Sequence, residues 1–245
     1  MSPSDDRPPG PDHYFTERPR SPSRRRELRF LYRGNILTFE VDAGVFASHG
    51  LDPGTALLIE ALNPRPTDRI LDLGCGWGAV GIAAAKLAPR GQVILTDTNH
   101  RAIGLARGNV ARNGLVNAEV RAGSLFAPVI NERFDLIATN PPFHIGRESI
   151  LELLAQAPDH LTDDGRLLLV GKGSQGIRFY QSWLEDHWGG GVEVRVRGSG
   201  YRVLEAMPGT SASDTPTPAV TPKLPGSPEL RGAPARRRTP PNRSA

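Results

Sequence analysis

Between residues 69 and 206 the hydrophobic positions fall into short dense runs separated by amphipathic stretches. RILDL (69–73), QVILTD (92–97), AEVRA (118–122), FDLIAT (134–139) and GRLLLV (165–170) read as strands. The stretches 79–88, 98–112, 147–161 and 174–187 read as helices. Strands this apolar, alternating with helices, predict a parallel sheet covered on both faces. The rhythm changes at the end, where VEVRVR and YRVLEA are separated by GSG alone. Three residues cannot hold a crossover helix, so the last strand must run antiparallel. Upstream, ELRFLYRGNILTFEV (27–41) alternates twice around Arg33-Gly34-Asn35, which predicts a β-hairpin. LDPGTALLIEAL then opens a short helix with Asp52 as N-cap and Pro53 at its first position. The expected fold class is α/β: a doubly wound, mostly parallel, seven-stranded Rossmann-like sheet ending in an antiparallel hairpin, with an N-terminal β-hairpin extension.

The ends carry a different composition. From Met207 onward the chain holds nine prolines and almost no aliphatic side chains. Such a segment buries too little apolar surface to offset its ordering entropy, so disorder is expected over 208–245 and over a leader of residues 1–12. The domain boundaries expected between them are 13–64 for the hairpin-and-helix extension and 65–207 for the sheet domain. Charge follows the same division. Residues 34–207 hold 16 basic and 19 acidic side chains, so the net charge of +4 arises at the arginine-rich ends. Flexible arginines suit nucleic-acid phosphates, although 27 arginines against 3 lysines also fit a general compositional bias. Cys75 is the only cysteine, which excludes an internal disulfide and a Cys/His zinc site; no metal is expected. The first residues lack the apolar core of a secretory signal and no apolar run reaches bilayer length, so a cytoplasmic protein without a membrane partner is expected. Nothing in the pattern bears on oligomeric state.

The chemistry begins at ILDLGCGWGAVGIA (70–83): strand, glycine-rich turn, helix start. Gly74, Gly76 and Gly78 allow a sharp turn and close approach of a ligand to backbone amides. Asp97, nineteen residues after Gly78, ends the next strand, where a carboxylate can accept from a ribose diol. The spacing is G-x-G-x-G rather than the dinucleotide pattern G-x-G-x-x-G, and Trp77 stands where a pyrophosphate would need bare backbone. Asp72 would repel phosphate and welcome an ammonium group. S-adenosylmethionine offers a ribose, an adenine and an ammonium without phosphate, and is the cofactor these carboxylates match. Cys75 is expected to be a small packing residue of the same turn. GSLF (123–126), after the third strand of the sheet, would hold the adenine.

TNPPFHIG (139–146) puts Asn140 at the mouth of the next strand, on the same rim as Asp72 and Asp97. A residue before proline is held extended, and Pro141 has no N–H. The pair therefore presents two neutral acceptors, the Asn140 side-chain oxygen and a main-chain oxygen, with Phe143 as a flat apolar surface. This is a platform for a planar –NH2 group. The exocyclic nitrogen of guanine or adenine shares its lone pair with the ring; two acceptors on its hydrogens can aim that lone pair at a sulfonium methyl. His144 is expected to be solvated or to start a helix rather than to act as a base.

With these motifs the chain resembles class I S-adenosylmethionine-dependent methyltransferases of the small-domain type, and within them the 16S ribosomal RNA guanine-N2 methyltransferases. The resemblance runs over residues 12–207 and rests on VDAGVFASHGLDPGTALLIEAL, LDLGCGWGAVGIA, NPPFHIG and GSGYRVLEA. It implies that Asp72, Gly74, Cys75, Gly76, Gly78 and Asp97 bind cofactor, that Asn140, Pro141 and Phe143 receive the target amino group, and that Asn140 touches cofactor too. Gly44–Phe46 is expected to help close the site. Ser124 stands where relatives usually carry an aspartate for the adenine amino group, a change costing roughly 1 kcal/mol of cofactor affinity. Larger relatives carry two tandem copies of the fold, so the target nucleotide does not transfer. The implied partner is ribosomal RNA or the small ribosomal subunit, with guanine N2 as the acceptor. Adenine N6 and a glutamine side-chain amide offer the same chemistry, and a non-catalytic RNA-binding module is the rival from another class.

Overall fold

The computed structural model describes residues 22–47 and 50–209. Of the segments expected to be disordered, the leader and residues 210–245 of the tail lie outside the described residues, while the Gly209 N–H is bonded to the Trp188 carbonyl. Strands β1 (Arg26–Tyr32) and β2 (Asn35–Val41) form the N-terminal hairpin, and helix α1 spans Pro53–Ala61. The main sheet contains β3 (Arg69–Leu73), β4 (Gln92–Asp97), β5 (Ala118–Ala122), β6 (Phe134–Thr139), β7 (Leu161–Lys172), β8 (Val192–Gly198) and β9 (Tyr201–Ala206). Helices α2 (Ala79–Leu87), α3 (His100–Arg112), α4 (Arg147–Gln156) and α5 (Ile177–Trp188) connect them.

The strand order is β5-β4-β3-β6-β7-β9-β8. Strands β3 to β7 are parallel, while β9 runs antiparallel to both β7 and β8. The chain winds outward from β3 to β5, then returns to lay β6 on the other side of β3. That reversal opens a crevice beyond the carboxyl ends of β3 and β6, where open α/β sheets bind ligands. No helix among the described residues is long and apolar enough to cross a membrane.

The hairpin turns at Arg33 and Gly34, both with positive φ (45° and 79°), the handedness that matches the twist of two-residue hairpins. Its inward positions Leu37, Phe39 and Val41 are fully buried, each stabilising the fold by about 1.5–3 kcal/mol. The exposed edge of β2 is covered in an unusual way. Asn113 of the α3 C-cap bonds the N–H and carbonyl of Thr38 at 3.1 and 2.8 Å, and Asn109 does the same for Glu40 at 2.7 and 2.9 Å. Two side-chain amides thus stand in for a neighbouring strand. Trp77 is buried edge-on against Phe39, ring centroids 4.9 Å apart. It anchors the hairpin and also borders the small cavity beside Gly74 and Gly76.

One boundary differs from the pattern reading. The helix expected over 147–161 stops at Gln156, continues as one 3-10 turn over Ala157–His160, and gives way to β7 at Leu161. Pro158 lacks the N–H an α-helix would need, and buried Leu161 pairs with Phe134 across the ladder. A register shift then accommodates the exposed Asp163 and Asp164 before the apolar run resumes.

Candidate active site

The loop after β3 folds back on itself with Gly74, Gly76 and Gly78 at φ 76°, 55° and 92°. Its amides are occupied internally. Gly74 and Cys75 both donate to the Thr96 carbonyl at 2.9 Å, Gly78 donates to the Cys75 carbonyl, and Gly76 donates to Asp97 Oδ2 at 2.8 Å. One turn into α2, the Gly81 N–H donates to Asp72 Oδ2 at 2.7 Å. A Cβ at Gly81 would stand 2.5 Å from Leu95 and 3.0 Å from that carboxylate, so the close approach requires glycine. With a carboxylate already at the start of α2, this turn is not a phosphate cradle.

Asp72 is buried beneath the turn. Burial raises its pKa to about 7, the Gly81 N–H working against this and the Asp97 charge adding to it. Asp97 is also raised, mainly by burial, with the N–H groups of Asn99 and Gly76 opposing. Burial pushes the Cys75 thiol up as well, and its sulfur lies 3.6 Å from the Gly76 carbonyl; it is an inert packing group in this geometry.

Two cavities share the rim. The larger, about 370 Å³, is lined by Gly74, Thr96, Asp97, Ser124, Asn140, Pro141 and Phe143, and also by Asp52 and Tyr201. The smaller, about 30 Å³, is lined by Asp72, Cys75, Gly76 and Thr55. Phe46, Gly74 and Asn140 border both. Ser124 stands on the far wall, next to Leu125 with φ 46°. Thr96 Oγ1 is the one buried side-chain oxygen without a partner among the described residues. The Gly44–Phe46 stretch is held over the start of α3, where Asn99 Nδ2 donates to the Gly44 carbonyl at 3.2 Å and Arg101 to the Ala43 carbonyl at 2.6 Å. Among the described residues no three His, Cys, Asp or Glu side chains gather as a metal-binding group.

Asn140 shows what the sequence pattern left out. Its Nδ2 donates to Asp52 Oδ2 at 3.2 Å and to Thr55 Oγ1 at 3.0 Å. The same Asp52 oxygen caps α1 by accepting the Thr55 N–H at 3.0 Å. A carboxylate only accepts, so the Asn140 group facing it must be the NH2, and the amide orientation is fixed by chemistry. Tyr201 closes the cluster, its hydroxyl 3.5 Å from Asp52 Oδ1 and its ring so close to Gly54 that a Cβ there would stand 2.7 Å away. Below Asn140, Thr139 Oγ1 donates to the Leu73 carbonyl and ties the ends of β6 and β3 together. The remaining motif residues behave less simply. The Pro141 carbonyl already accepts the Phe143 N–H at 2.9 Å, leaving it one lone pair. Phe143 rests its ring on Gly171 and on Tyr180, centroids 5.6 Å apart, with one side toward the cavity. His144 is exposed on the single 3-10 turn that follows, at the cavity edge.

The methyltransferase small-domain family model matches residues 36–205. The chain belongs to that family. The Bacillus subtilis protein YbxB is 31% identical over 197 residues, covering 80% of this chain and 98% of its own. Ribosomal RNA small subunit methyltransferase C of Citrobacter koseri is 39% identical over 143 residues, 57% of this chain and 41% of that one. Among solved structures, the T. thermophilus 16S rRNA N2 methyltransferase in complex with AdoMet and guanosine matches with a TM-score of 0.63 at 28% identity, over 77% of this chain and 52% of that one. The small-domain protein thus spans almost all of YbxB but only about half of the rRNA methyltransferases it matches.

Proposed function

We propose that this chain transfers a methyl group from S-adenosylmethionine to the exocyclic amino group of a base in ribosomal RNA, guanine N2 of the small subunit. S-adenosylmethionine supplies an activated methyl whose leaving group is a neutral thioether. The residues present fit that molecule better than a dinucleotide, because the turn's amides are already occupied and two carboxylates, not cations, face the site. Asp97 would hold the ribose diol, buried Asp72 would compensate the ammonium group across the small cavity, and Ser124 offers a hydroxyl along the large one. Gly74, Cys75, Gly76 and Gly78 contribute the backbone wall.

The observation that carries the acceptor assignment is the anchoring of both amide hydrogens of Asn140 by Asp52 and Thr55. With its NH2 facing α1, Asn140 presents only its Oδ1 as a free functional group, and that oxygen can only accept. A planar amine laid against it gives up one N–H, with the free lone pair of the Pro141 carbonyl available to the other. The Asp52 charge adds to this. A carboxylate accepting from the amide NH2 polarises the amide and makes its oxygen a stronger acceptor. Orientation and electrostatics then do the catalytic work, and no general base is required. The guanosine and small-subunit names of the relatives support guanine N2 as first choice.

The test is transfer of labelled methyl from S-adenosylmethionine to ribosomal subunits, free ribosomal RNA and total protein, followed by nucleoside and amino-acid analysis. N2-methylguanosine in small-subunit RNA is the expected product. Label in N6-methyladenosine or in a glutamine amide would keep the amine platform and replace the acceptor. No label in any fraction, with cofactor bound, would overturn the enzymatic reading.

A further inference from the structure

The β8–β9 hairpin treats its arginines in two ways. At one end Arg195 reaches Glu205 at 3.4 Å and Glu193 at 3.8 Å, and Arg166 approaches Glu205 at 3.9 Å. At the other end, where β9 starts beside the crevice, Arg197 stands directly opposite Arg202 on the ladder. Like charges in that relation destabilise a strand pair. Arg178, on α5, joins them: desolvation and the charges of Arg178 and Arg197 all lower the Arg202 pKa. Residues 171–184 and 196–204 contain Lys172, Arg178, Arg197 and Arg202 and no carboxylate. In a body with more acidic than basic side chains, such a cluster persists only if something other than folding uses it.

Its position names the use. Tyr201 lines the large cavity from the α1 side of the sheet, with the Lys172 ammonium 5.7 Å from its ring, and Arg202, next on the strand, projects to the α5 side at the same strand end. On the other face of the sheet, the α5 side where Arg202 and Arg178 lie, a line of aromatics leaves the cavity. Phe143 touches Tyr180, Tyr180 meets Phe179 edge-on at 5.3 Å, and the exposed Phe179 carries the Arg147 guanidinium 4.3 Å above its ring. Tyr180 is buried and supports the line from beneath, leaving the exposed Phe179 and the half-buried Phe143 beside cations, which fits a chain that offers phosphates and stackable bases together. An acidic peptide would satisfy the cations but would leave the aromatic line without a role.

We infer that Arg178, Arg197 and Arg202, with the Arg147–Phe179 pair, form the RNA-docking ridge of this protein. It holds the phosphates flanking the nucleotide whose base enters the crevice. The polymer's identity rests on the function proposed above; the ridge itself rests on the unmatched arginines. Phosphate contacts of this kind fix register and orientation and leave base choice to the crevice.

The experiment uses the full chain and 16S ribosomal RNA transcribed in vitro, with binding followed by fluorescence anisotropy across a salt series. Replacing all three arginines (Arg178→Gln, Arg197→Gln, Arg202→Gln) is expected to raise Kd about 10- to 100-fold and to flatten the log–log salt slope by about 2–3. A control triple variant, Arg29→Gln with Arg133→Gln and Arg195→Gln, removes the same charge from ion-paired sites and should change Kd less than about threefold. Both variants should bind S-adenosylhomocysteine as the parent does, and the ridge variant should melt no lower, since a repulsion has been removed. Equal losses in the two variants, or a wild-type salt slope in the ridge variant, would overturn the ridge. Ridge-dependent RNA binding without label in any base would leave the ridge standing and sink the methyl-transfer reading. Ridge-dependent methylation of protein alone would sink both.

Discussion

The two halves of the crevice are built in opposite ways. Most of the half proposed to hold the cofactor comes from one continuous strand–turn–helix–strand, Asp72 to Asp97, and its hydrogen bonds close locally on the turn. The acceptor half is assembled from distant segments: Asn140 bonds to Asp52 across 88 residues, and Asp52 approaches Tyr201 across 149. A locally closed loop keeps its shape whatever lies opposite, so its hold on the proposed cofactor should depend little on the acceptor side. The acceptor half exists only when the N-terminal helix, the sheet and the final hairpin are all in place. Changes in the first half should therefore move cofactor affinity, and changes in the second should move turnover.

The largest expected effect belongs to the second half. Asn140→Ala should lower kcat by about a hundredfold to a thousandfold, the range for removing one preorganised polar group from a transition state. S-adenosylhomocysteine affinity, measured by calorimetry, should stay within about threefold. A matching loss of cofactor affinity would erase the distinction between the halves.

Asp97→Ala is the converse. It removes the carboxylate that accepts from Gly76 and Asn99 and faces the large cavity. Charge-assisted hydrogen bonds are worth about 1.5–3 kcal/mol, so Kd for S-adenosylhomocysteine should rise about 10- to 100-fold. At saturating cofactor kcat should recover to within about threefold. An unchanged Kd would remove Asp97 from the ribose.

Asp52→Asn sharpens the comparison because it alters charge alone. The Asn140 NH2 and the Thr55 N–H both use a single oxygen of Asp52, and an asparagine oxygen can accept both. Asparagine caps helices as well as aspartate does. Tm and cofactor affinity should therefore hold, while kcat falls about 3- to 10-fold through lost polarisation of the Asn140 amide, the difference between a charged and a neutral partner. Asp52→Ala should lose the cap as well, costing about 1 kcal/mol of stability and more turnover. Wild-type kcat in Asp52→Asn would limit Asp52 to a capping role.

What could be read from the sequence follows the same division. The strands, the glycine turn and Asp97 are legible because period and spacing are local, and Asn140 is legible because proline marks its strand end. Asp52 was visible only as an N-cap, since nothing in LDPGT shows which distant side chain shares its oxygen. Tyr201 lies in a segment, GSGYRVLEA, whose only pattern signal was strand alternation; its contact with Gly54 is purely tertiary. The packing of Trp77 is hidden for a related reason: the hairpin that receives it is nearly forty residues upstream, and its buried Phe39 offers an apolar wall that the turn motif does not reveal.

The smallest effect probes the cofactor half through pH. Asp72 is buried, and its pKa stands at about 7 instead of near 4. Between those values the native chain keeps a proton that the unfolded chain has released. The stability this group contributes is complete below about pH 4 and is lost as pH rises through 7. A ligand bearing an ammonium group prefers the ionised form, so its binding runs the other way. From one pH unit below 7 to one above, the ionised fraction of Asp72 grows from about one-tenth to about nine-tenths. S-adenosylhomocysteine affinity should rise by somewhat less than tenfold over that span, and Asp72→Asn should flatten the rise while leaving the protein more stable at pH 8 without ligand. Asp97 lies in the same field and is also raised by burial, but its backbone donors oppose the shift and it faces the ribose side. An unaltered pH profile in Asp72→Asn would move the ammonium site away from the small cavity, to a wall of the crevice where no buried carboxylate waits for it.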